Sequence, residues 1–340
     1  MYRTTSFGRR TSLKLRHLNV VFLRGRLSNT FSVPPEKSNS ELTRSPPPIR
    51  VALTEFAGRG VFATRRIGSG DLIHTATPVV AHPSLSLLHK QVCYFCLKQL
   101  GVNRNAAYIH AEPTGNTNQR VCFCNEDCRE SSKVFHEVEC LADWSVYDEY
   151  CRSRQLKYPL LLKRLACMVI SGALLPDQLD ILQPETLSPG KISAMQEGFD
   201  MLRSILTESS IDNEQMTFLT EQWYISMLAR IRINAFRVEL VSILYEDLLS
   251  SAAASVEAEA AVGNAVYMLP SFYNHDCDPN VHIIWTENVD ARVKALRDID
   301  EGEELRICYI DASIDRDARQ AILLEGFGFR CNCFRCISGD

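Results

Sequence analysis

Thirteen cysteines constrain this 340-residue chain more than any other feature, because most of them fall into short clusters. The clusters are Cys93 with Cys96, Cys122 with Cys124 and Cys128, and Cys331 with Cys333 and Cys336. A disulfide framework is typical of short secreted chains, whereas clustered C-x-x-C pairs in a chain this long indicate metal ligands. Zinc takes four thiolate or imidazole ligands in tetrahedral geometry. The sequence therefore predicts a reduced, intracellular, zinc-binding protein.

Charge is distributed unevenly along the chain. Residues 1–50 hold ten Lys or Arg and two acids, and the other 290 residues hold 27 basic and 39 acidic side chains, a net charge of −12. Residues 1–32 contain no acid, and Leu15, Leu18 and Phe22 share one helical face. A basic amphipathic arm is typical of a transit peptide. We interpret residues 1–48 as a targeting arm and Pro-rich linker for the mitochondrion or plastid, with a nuclear signal or a basic tail as the alternative.

The remaining pattern predicts a mainly β fold with a helical insert, α+β overall. Short strand patterns at 51–53, 60–62, 72–81 and 281–309 flank a stretch at 141–230 whose apolar residues recur every three to four positions. A hydrophobic content of 46% is ordinary for a globular chain. No stretch approaches the ~20 uninterrupted apolar residues of a membrane span, so none is expected.

Five motifs occur along the chain in a characteristic order. They are Gly58-Arg59-Gly60-Val61-Phe62, Ile67-Gly68-Ser69-Gly70-Asp71-Leu72-Ile73, Asn274-His275-Asp276-Cys277-Asp278-Pro279-Asn280, Gly302-Glu303-Glu304-Leu305-Arg306-Ile307-Cys308-Tyr309 and Gly328-Phe329-Arg330-Cys331-Asn332-Cys333-Phe334-Arg335-Cys336. Together they resemble the SET-domain protein-lysine methyltransferases of the branch with an inserted MYND-type zinc finger, and plant trithorax-related SET proteins are similar. The resemblance implies the SET fold with its pseudoknot.

The resemblance also implies an organisation of the chain into parts. These are the arm at 1–48, the first SET part at 49–92, a MYND-like zinc insert at 93–140, a helical insert at 141–230, the catalytic SET part at 231–322 and a post-SET zinc segment at 323–340.

Two zinc sites are expected from the cysteine spacing and the resemblance together. One is an all-thiolate site made of Cys277, Cys331, Cys333 and Cys336, and the other is the first MYND site, made of Cys93, Cys96, Cys124 and Cys128. The family's second MYND zinc stays open. His136 and Cys140 are present for it, but the expected C-x-x-C is not, and only Cys122 and His110 could substitute. Cys151, Cys167 and Cys308 are interpreted as small packing residues.

The implied reaction is methyl transfer from S-adenosylmethionine to a lysine ε-amine, with Tyr309 as the catalytic residue. The implied cofactor-binding residues are Gly58, Arg59, Gly60, Asn234, Asn274, His275, Tyr309 and Phe329. The implied walls of the lysine channel are Phe272, Tyr273 and Phe327. We expect Glu303 and Glu304 to be turn and solvent charges. The amine must be neutral although its ordinary pKa is ~10.4, and a dry channel beside a sulfonium cation lowers that pKa.

The family's default substrate is histone H3, which would make the protein a chromatin regulator. The alternatives are an organellar enzyme that methylates a non-histone protein and a catalytically silent scaffold that acts through its zinc finger. The acidic body, with its net charge of −12, favours a basic lysine-containing peptide as partner and argues against direct DNA binding.

Overall fold

The computed structural model describes residues 46–85, 92–100, 110–113, 120–240 and 261–340. The chain divides into two units, Met1–Ser45 and Pro46–Asp340. The first unit, and with it nearly all of the predicted targeting arm, lies outside the described residues. Every described element therefore belongs to the second unit. Within the described ranges, no helix is both long and apolar enough to cross a membrane.

Strands and helices both contribute to the second unit. The described strands are β1 (Ile49–Leu53), β2 (Arg59–Ala63), β3 (Leu72–Ala76), β4 (Val80–Pro83), β5 (His110–Pro113), β6 (Arg120–Phe123), β7 (Ala235–Glu239), β8 (Ala261–Val266), β9 (Asn274–His275), β10 (Val281–Ile284), β11 (Ala291–Ala295) and β12 (Glu304–Ile307). The described α-helices are α1 (Glu126–Glu139), α2 (Ser145–Ser153), α3 (Tyr158–Ile170), α4 (Pro189–Glu208), α5 (Glu221–Asn234), α6 (Arg316–Phe327) and α7 (Phe334–Ser338). This mixed content confirms the α+β prediction, while the predicted part boundaries stay predictions.

Strand pairing brings distant motifs together. One sheet has the order β1-β2-β12-β9, a second has β10-β11-β3, a third has β4-β8-β7, and β5 pairs with β6. Strand β12 pairs antiparallel with β2 and parallel with β9, with Arg306 opposite Asn274 and Ile307 opposite His275. Val61 and Leu305 are fully buried between these strands and the second sheet. The pairing therefore places the Asn274-His275 motif beside the strand that leads to Tyr309.

The helices bury the largest apolar core. Helix α3 is apolar on nearly every face, and Leu161, Leu162 and Cys167 in it are completely buried. The same core includes Phe123 and Phe135 of the cysteine-rich insert. Side-chain caps define where several helices begin, because Asn125, Ser188, Thr220 and Asp315 each accept a hydrogen bond from a backbone N–H of the first turn. The insert and the helices thus fold as one packed body.

A buried arginine joins three parts of this body. Arg164 on α3 is 1% exposed, and its Nη1 donates to the carbonyl oxygens of Ala81 at 2.5 Å and Tyr94 at 3.1 Å. Its Nε lies 3.4 Å from a carboxylate oxygen of Glu139, the last residue of α1. Although burial opposes its ionisation, the positive charge of Arg164 helps to hold the pKa of Glu139 at about 2. The carboxylate of Glu139 therefore stays charged inside the protein.

We expect Arg164→Ala to lower the free energy of unfolding by about 3–5 kcal/mol, because it removes the guanidinium beside the buried Glu139 carboxylate and leaves the carbonyl oxygens of Ala81 and Tyr94 without their donor. Denaturant unfolding followed by circular dichroism measures this loss. Arg152→Ala is the control, since Arg152 pairs with Glu149 on the surface, and its cost should stay below about 1 kcal/mol. Equal losses in the two variants would contradict the structural role given to Arg164.

Candidate functional site

The C-terminal cysteines converge with Cys277 on one point. The Sγ atoms of Cys277, Cys331, Cys333 and Cys336 all lie within 4.8 Å of one another. Cys277 Sγ is 3.6 Å from Cys336 Sγ and 4.0 Å from Cys331 Sγ. A tetrahedral zinc with Zn–S bonds of about 2.3 Å requires S–S separations of about 3.8 Å. These four thiols can therefore hold zinc without rearrangement of the backbone.

The cysteine-rich insert forms a second cluster of the same kind. Cys93, Cys96, Cys124 and Cys128 meet the same 4.8 Å limit. The Sγ of Cys124 lies 3.6 Å from that of Cys96 and 3.4 Å from that of Cys128. Asn125 accepts a hydrogen bond from the backbone N–H of Cys128 at 2.8 Å, which fixes this cysteine in the first turn of α1. This cluster can also hold zinc.

The residues considered for a third zinc do not form a comparable group. Cys140 Sγ lies 3.6 Å from His136 Nε2. Among the side chains that the structure describes, these two and Cys122 do not form a set of three ligands within 4.8 Å of one another. His110 lies on β5 beside Cys122 on β6, but its side chain lies outside the described residues. The presence of this second MYND zinc site, which would be the third zinc site of the chain, therefore stays an open question.

His275 connects the C-terminal cluster to Tyr309. Its Nδ1 accepts the backbone N–H of Tyr309 at 3.1 Å, and its Nε2 lies 3.3 Å from Cys277 Sγ. Burial lowers the pKa of His275 to about 4, so the ring is neutral near pH 7. A neutral ring that accepts at Nδ1 carries its proton on Nε2 and donates it to the Cys277 sulfur. The position of Tyr309 thus depends on a cluster ligand.

Tyr309 lies in an aromatic environment at the end of β12. Its ring centroid is 5.0 Å from that of Phe327, 5.3 Å from that of His275 and 6.4 Å from that of Phe329. The phenol donates to the carbonyl oxygen of Tyr273 at 2.7 Å. Burial raises the pKa of Tyr309 above its ordinary value, so the phenol stays protonated near pH 7. Tyr309 can orient a reacting group but is a poor base.

The glycine-rich turn between β1 and β2 packs against the Asn274 amide. Gly58 has a φ of +73°, which favours glycine, and a Cβ on Gly60 would lie 2.5 Å from Glu304 Oε1. Asn274 Nδ2 donates to Arg59 O at 3.1 Å and to Glu304 Oε1 at 2.7 Å. The carboxylate of Glu304 is therefore a structural acceptor, and the expectation that it is a solvent charge was wrong.

Arg59 and Asn234 are two further residues predicted to bind the cofactor. The guanidinium carbon of Arg59 lies 5.1 Å from the ring centroid of Phe272, and Arg59 donates to the carbonyl oxygen of Ile181. Asn234 is buried, and its Nδ2 donates to Gln183 O at 2.9 Å and to Arg230 O at 2.8 Å. The cofactor role of Asn234 stays a prediction.

One site residue was missed because the motif gave it no role. Asn280 donates to Glu304 O at 2.8 Å and accepts the backbone N–H of Arg306 at 2.7 Å. It therefore bonds the loop after β9 to β12. Its position as the last residue of N-H-x-C-x-P-N was the available signal.

A cavity of about 470 Å³ adjoins Tyr309. Tyr273 and Phe327 line it together with Asn234, Phe236 and Cys308, and the lysine-channel role of Tyr273 and Phe327 stays a prediction. Phe272 does not border this cavity, nor do the glycine turn, Asn274, His275 and Phe329. Tyr309 is thus in contact with two different environments, the cavity on one side and His275 with Phe329 on the other. This arrangement can keep two reactants apart until they meet at the phenol.

Comparisons with known proteins agree with the motifs. The family model described as SET domain matches residues 167–310. Histone-lysine N-methyltransferase ATXR4 of Arabidopsis thaliana is 59% identical over 296 residues, which cover 87% of this chain and 88% of that protein. A SET and MYND domain-containing protein of Dictyostelium discoideum is 25% identical, over 79% of this chain and 77% of its own. The solved SET domain of LSMT, bound to lysine and AdoHcy, aligns with a TM-score of 0.34 and 11% identity, over 84% of this chain and 53% of that chain.

We expect Cys331→Ser to bind one zinc fewer per chain than the unaltered protein, because three thiolates with a weaker hydroxyl ligand bind zinc poorly. Elemental analysis of the purified protein measures the ratio. Cys308→Ser is the control, since Cys308 belongs to neither cluster, and its zinc content should not change. An unchanged zinc content in Cys331→Ser would refute the C-terminal site.

Proposed function

The chain belongs to the SET-domain family of protein-lysine methyltransferases, and we propose that Tyr309 is the residue at which its methyl transfer to lysine takes place. The relative at 59% identity confirms the family predicted from the motifs. The protein is accordingly an S-adenosylmethionine-dependent protein-lysine methyltransferase. The observation that supports the role of Tyr309 is its position between the cavity and the aromatic face made by His275 and Phe329.

The residues beside this face suit an adenosine-bearing cofactor. Gly58, Arg59, Gly60, Asn274 and His275 would hold it through backbone and side-chain hydrogen bonds, and the half-buried ring of Phe329 would stack on the adenine. When bound, S-adenosylmethionine supplies an electrophilic sulfonium methyl group. The chain must then supply position and a dry environment, which is mostly a matter of orientation.

The cavity provides the conditions that the lysine amine needs. The rings of Tyr273, Phe236 and Phe327 exclude water from part of its wall, and desolvation lowers the pKa of an amine. The amine releases its proton to solvent as it enters. The phenol of Tyr309 already donates to Tyr273 O, so its lone pairs can accept an N–H of the amine and aim the nitrogen lone pair. The methylated ammonium product returns its extra proton to water.

The two cysteine clusters act as structural zinc sites in this proposal. Bound zinc contributes about 10–16 kcal/mol of apparent folding free energy in small zinc domains. The C-terminal zinc would fix Cys277 and, through it, the ring of His275. We disfavour a catalytically silent scaffold, because the chain has Tyr309 in contact with His275 and has the glycine turn packed against Asn274.

The identity of the protein substrate depends on the cell compartment in which the enzyme resides. The basic arm at residues 1–48 supports a mitochondrial or plastid location, where a non-histone protein would carry the target lysine. Histone H3 in the nucleus is the second candidate, and the similarity to a histone-lysine N-methyltransferase of Arabidopsis favours a histone. We propose the organellar substrate, because the arm belongs to this chain itself.

We expect Tyr309→Phe to lose most methyl transfer, by about a hundredfold or more, while the fold and cofactor binding persist, because only the orienting hydroxyl is removed. Incorporation of labelled methyl groups into lysine measures transfer, and calorimetry with S-adenosylhomocysteine measures binding. Tyr267→Phe is the matched control, since the Tyr267 hydroxyl is buried away from the cavity against Val289 O and Trp285. Undiminished transfer by Tyr309→Phe would refute its role.

The rate should also depend on pH in a defined way. Because the free amine has an ordinary pKa of ~10.4, kcat/KM should rise about tenfold per pH unit between pH 6.5 and 9.5. Tyr309 should add no falling limb, since its pKa is raised by burial. Circular dichroism at each pH excludes unfolding. A downturn below pH 9.5 in the folded protein would contradict a protonated Tyr309.

A fluorescent fusion of residues 1–48 should enter the mitochondrion or plastid and be shortened there, because the arm is basic and amphipathic. Microscopy and immunoblotting of cell fractions measure both effects. Replacement of Leu15, Leu18 and Phe22 by Ser should abolish import. A fusion that stays nuclear or cytosolic would contradict the organellar proposal.

A further inference from the structure

A second cavity lies beside the cavity at Tyr309. The second has a volume of about 460 Å³ and borders Leu85, Cys151 and Leu156. Lys157, Arg237 and Asn264 border both cavities. The two cavities therefore lie next to each other, with these three residues bordering both. We call the two together the substrate groove.

Positive charge lines the substrate groove. The charged side chains at its border are Arg152, Lys157, Arg232 and Arg237. Among the described residues, no Asp or Glu borders either cavity. The charge comes from separate places in the sequence, since Lys157 precedes α3, Arg232 lies on α5 and Arg237 lies on β7. Folding therefore concentrates cations that are dispersed along the chain.

The protein neutralises this charge only in part. Three of the four cations have acidic partners: Arg152 pairs with Glu149 at 2.5 Å, Arg232 with Glu185 at 2.5 Å and Arg237 with Glu239 at 2.7 Å. Lys157 has no acidic partner within 4.0 Å in the part of the chain that the structure describes. Partial burial, and then repulsion from Arg237, lowers the pKa of Lys157. An incoming carboxylate would relieve this repulsion.

The local charge opposes the net charge of the folded body. The net charge of −12 by itself favours a basic partner. Screening at physiological salt limits electrostatic attraction to about 8 Å, so groups at the border of a groove affect a bound peptide more than distant surface acids do. A basic peptide in this groove would place like charges beside Lys157 and Arg237.

We propose that the enzyme prefers a target lysine within an acidic segment, whose Asp or Glu side chains contact Lys157 and Arg237 while the lysine reaches Tyr309. This inference rests on the proposed methyl-transfer function. It extends that function by naming the substrate class, a protein segment with carboxylates next to the methylated lysine. It also favours a non-histone substrate over the basic tail of a histone.

Two series of synthetic peptides test the preference. Each peptide carries one lysine among Ala, Ser and Gly, with Asp or Glu at flanking positions in one series and Arg in the other. Transfer of labelled methyl groups from S-adenosylmethionine gives kcat and KM for each. We expect the full-length protein to show a kcat/KM about tenfold higher for the acidic series, expressed mainly in KM, and weakened by added salt.

Substitutions of Lys157 and of a control lysine test the role of Lys157 in this preference. Lys157→Glu should reduce or reverse the preference by about three- to tenfold, while Lys157→Arg should keep it. Lys133→Glu is the matched control, because Lys133 is an exposed lysine on α1 that borders neither cavity. It changes the net charge equally and should leave the preference intact.

The outcomes separate the two proposals. Equal transfer to the two series, faster transfer to the basic series, or the same preference in Lys157→Glu overturns the acidic-segment inference and leaves methyl transfer standing. Absence of transfer to every peptide and to the enzyme itself overturns the methyl-transfer function, and the inference with it.

Discussion

His275 contacts both the C-terminal cysteine cluster and Tyr309, and the geometry of the site depends on this double contact. Its neutral ring accepts the backbone N–H of Tyr309 at one nitrogen and approaches Cys277 Sγ with the other. A metal bound by Cys277 would therefore restrict the ring, and the ring would restrict Tyr309. This chain of contacts explains why the C-terminal cysteines belong to one site with Cys277 and Tyr309, which are distant from them in the sequence. A metal held by this cluster would therefore be coupled to the position of Tyr309.

The rest of the fold supports this site from a distance. The buried Arg164 ties the cysteine-rich insert to the helices, and α5 leads directly into β7 at the cavity wall. Arg232 on α5 and Lys157, directly before α3, also border the substrate groove. The helical region thus shapes both the stability of the protein and the charge that a substrate meets. The protein has a net negative charge, yet the charged side chains at its groove are basic. A bound peptide contacts these local side chains, so their charge affects it more than the net charge does.

Much of the site could be predicted because the chemistry restricts the spacing. Zinc requires close thiolate pairs, so C-x-x-C patterns indicated the two clusters, whereas the role of Tyr309 was implied only by the resemblance of G-E-E-L-x-x-x-Y to the family motif and stays a prediction. The role of Glu304 was not visible, since it depends on the pairing of β12 with β9 that brings Asn274 next to the carboxylate. The basic groove was equally hidden, because Lys157 and Arg237 are separated by 80 positions and meet only after folding. The targeting arm and the part boundaries stay predictions.

The most direct test of the account is the methyl-transfer rate of His275→Phe. This variant keeps an aromatic ring against Tyr309 and Phe329 but removes both polar contacts of the imidazole. With zinc content and circular dichroism unchanged, the account predicts a loss of about a hundredfold in the transfer of labelled methyl groups, because Tyr309 is no longer held in position. A variant that keeps its zinc and transfers methyl groups at the unaltered rate would contradict the coupling on which the account rests.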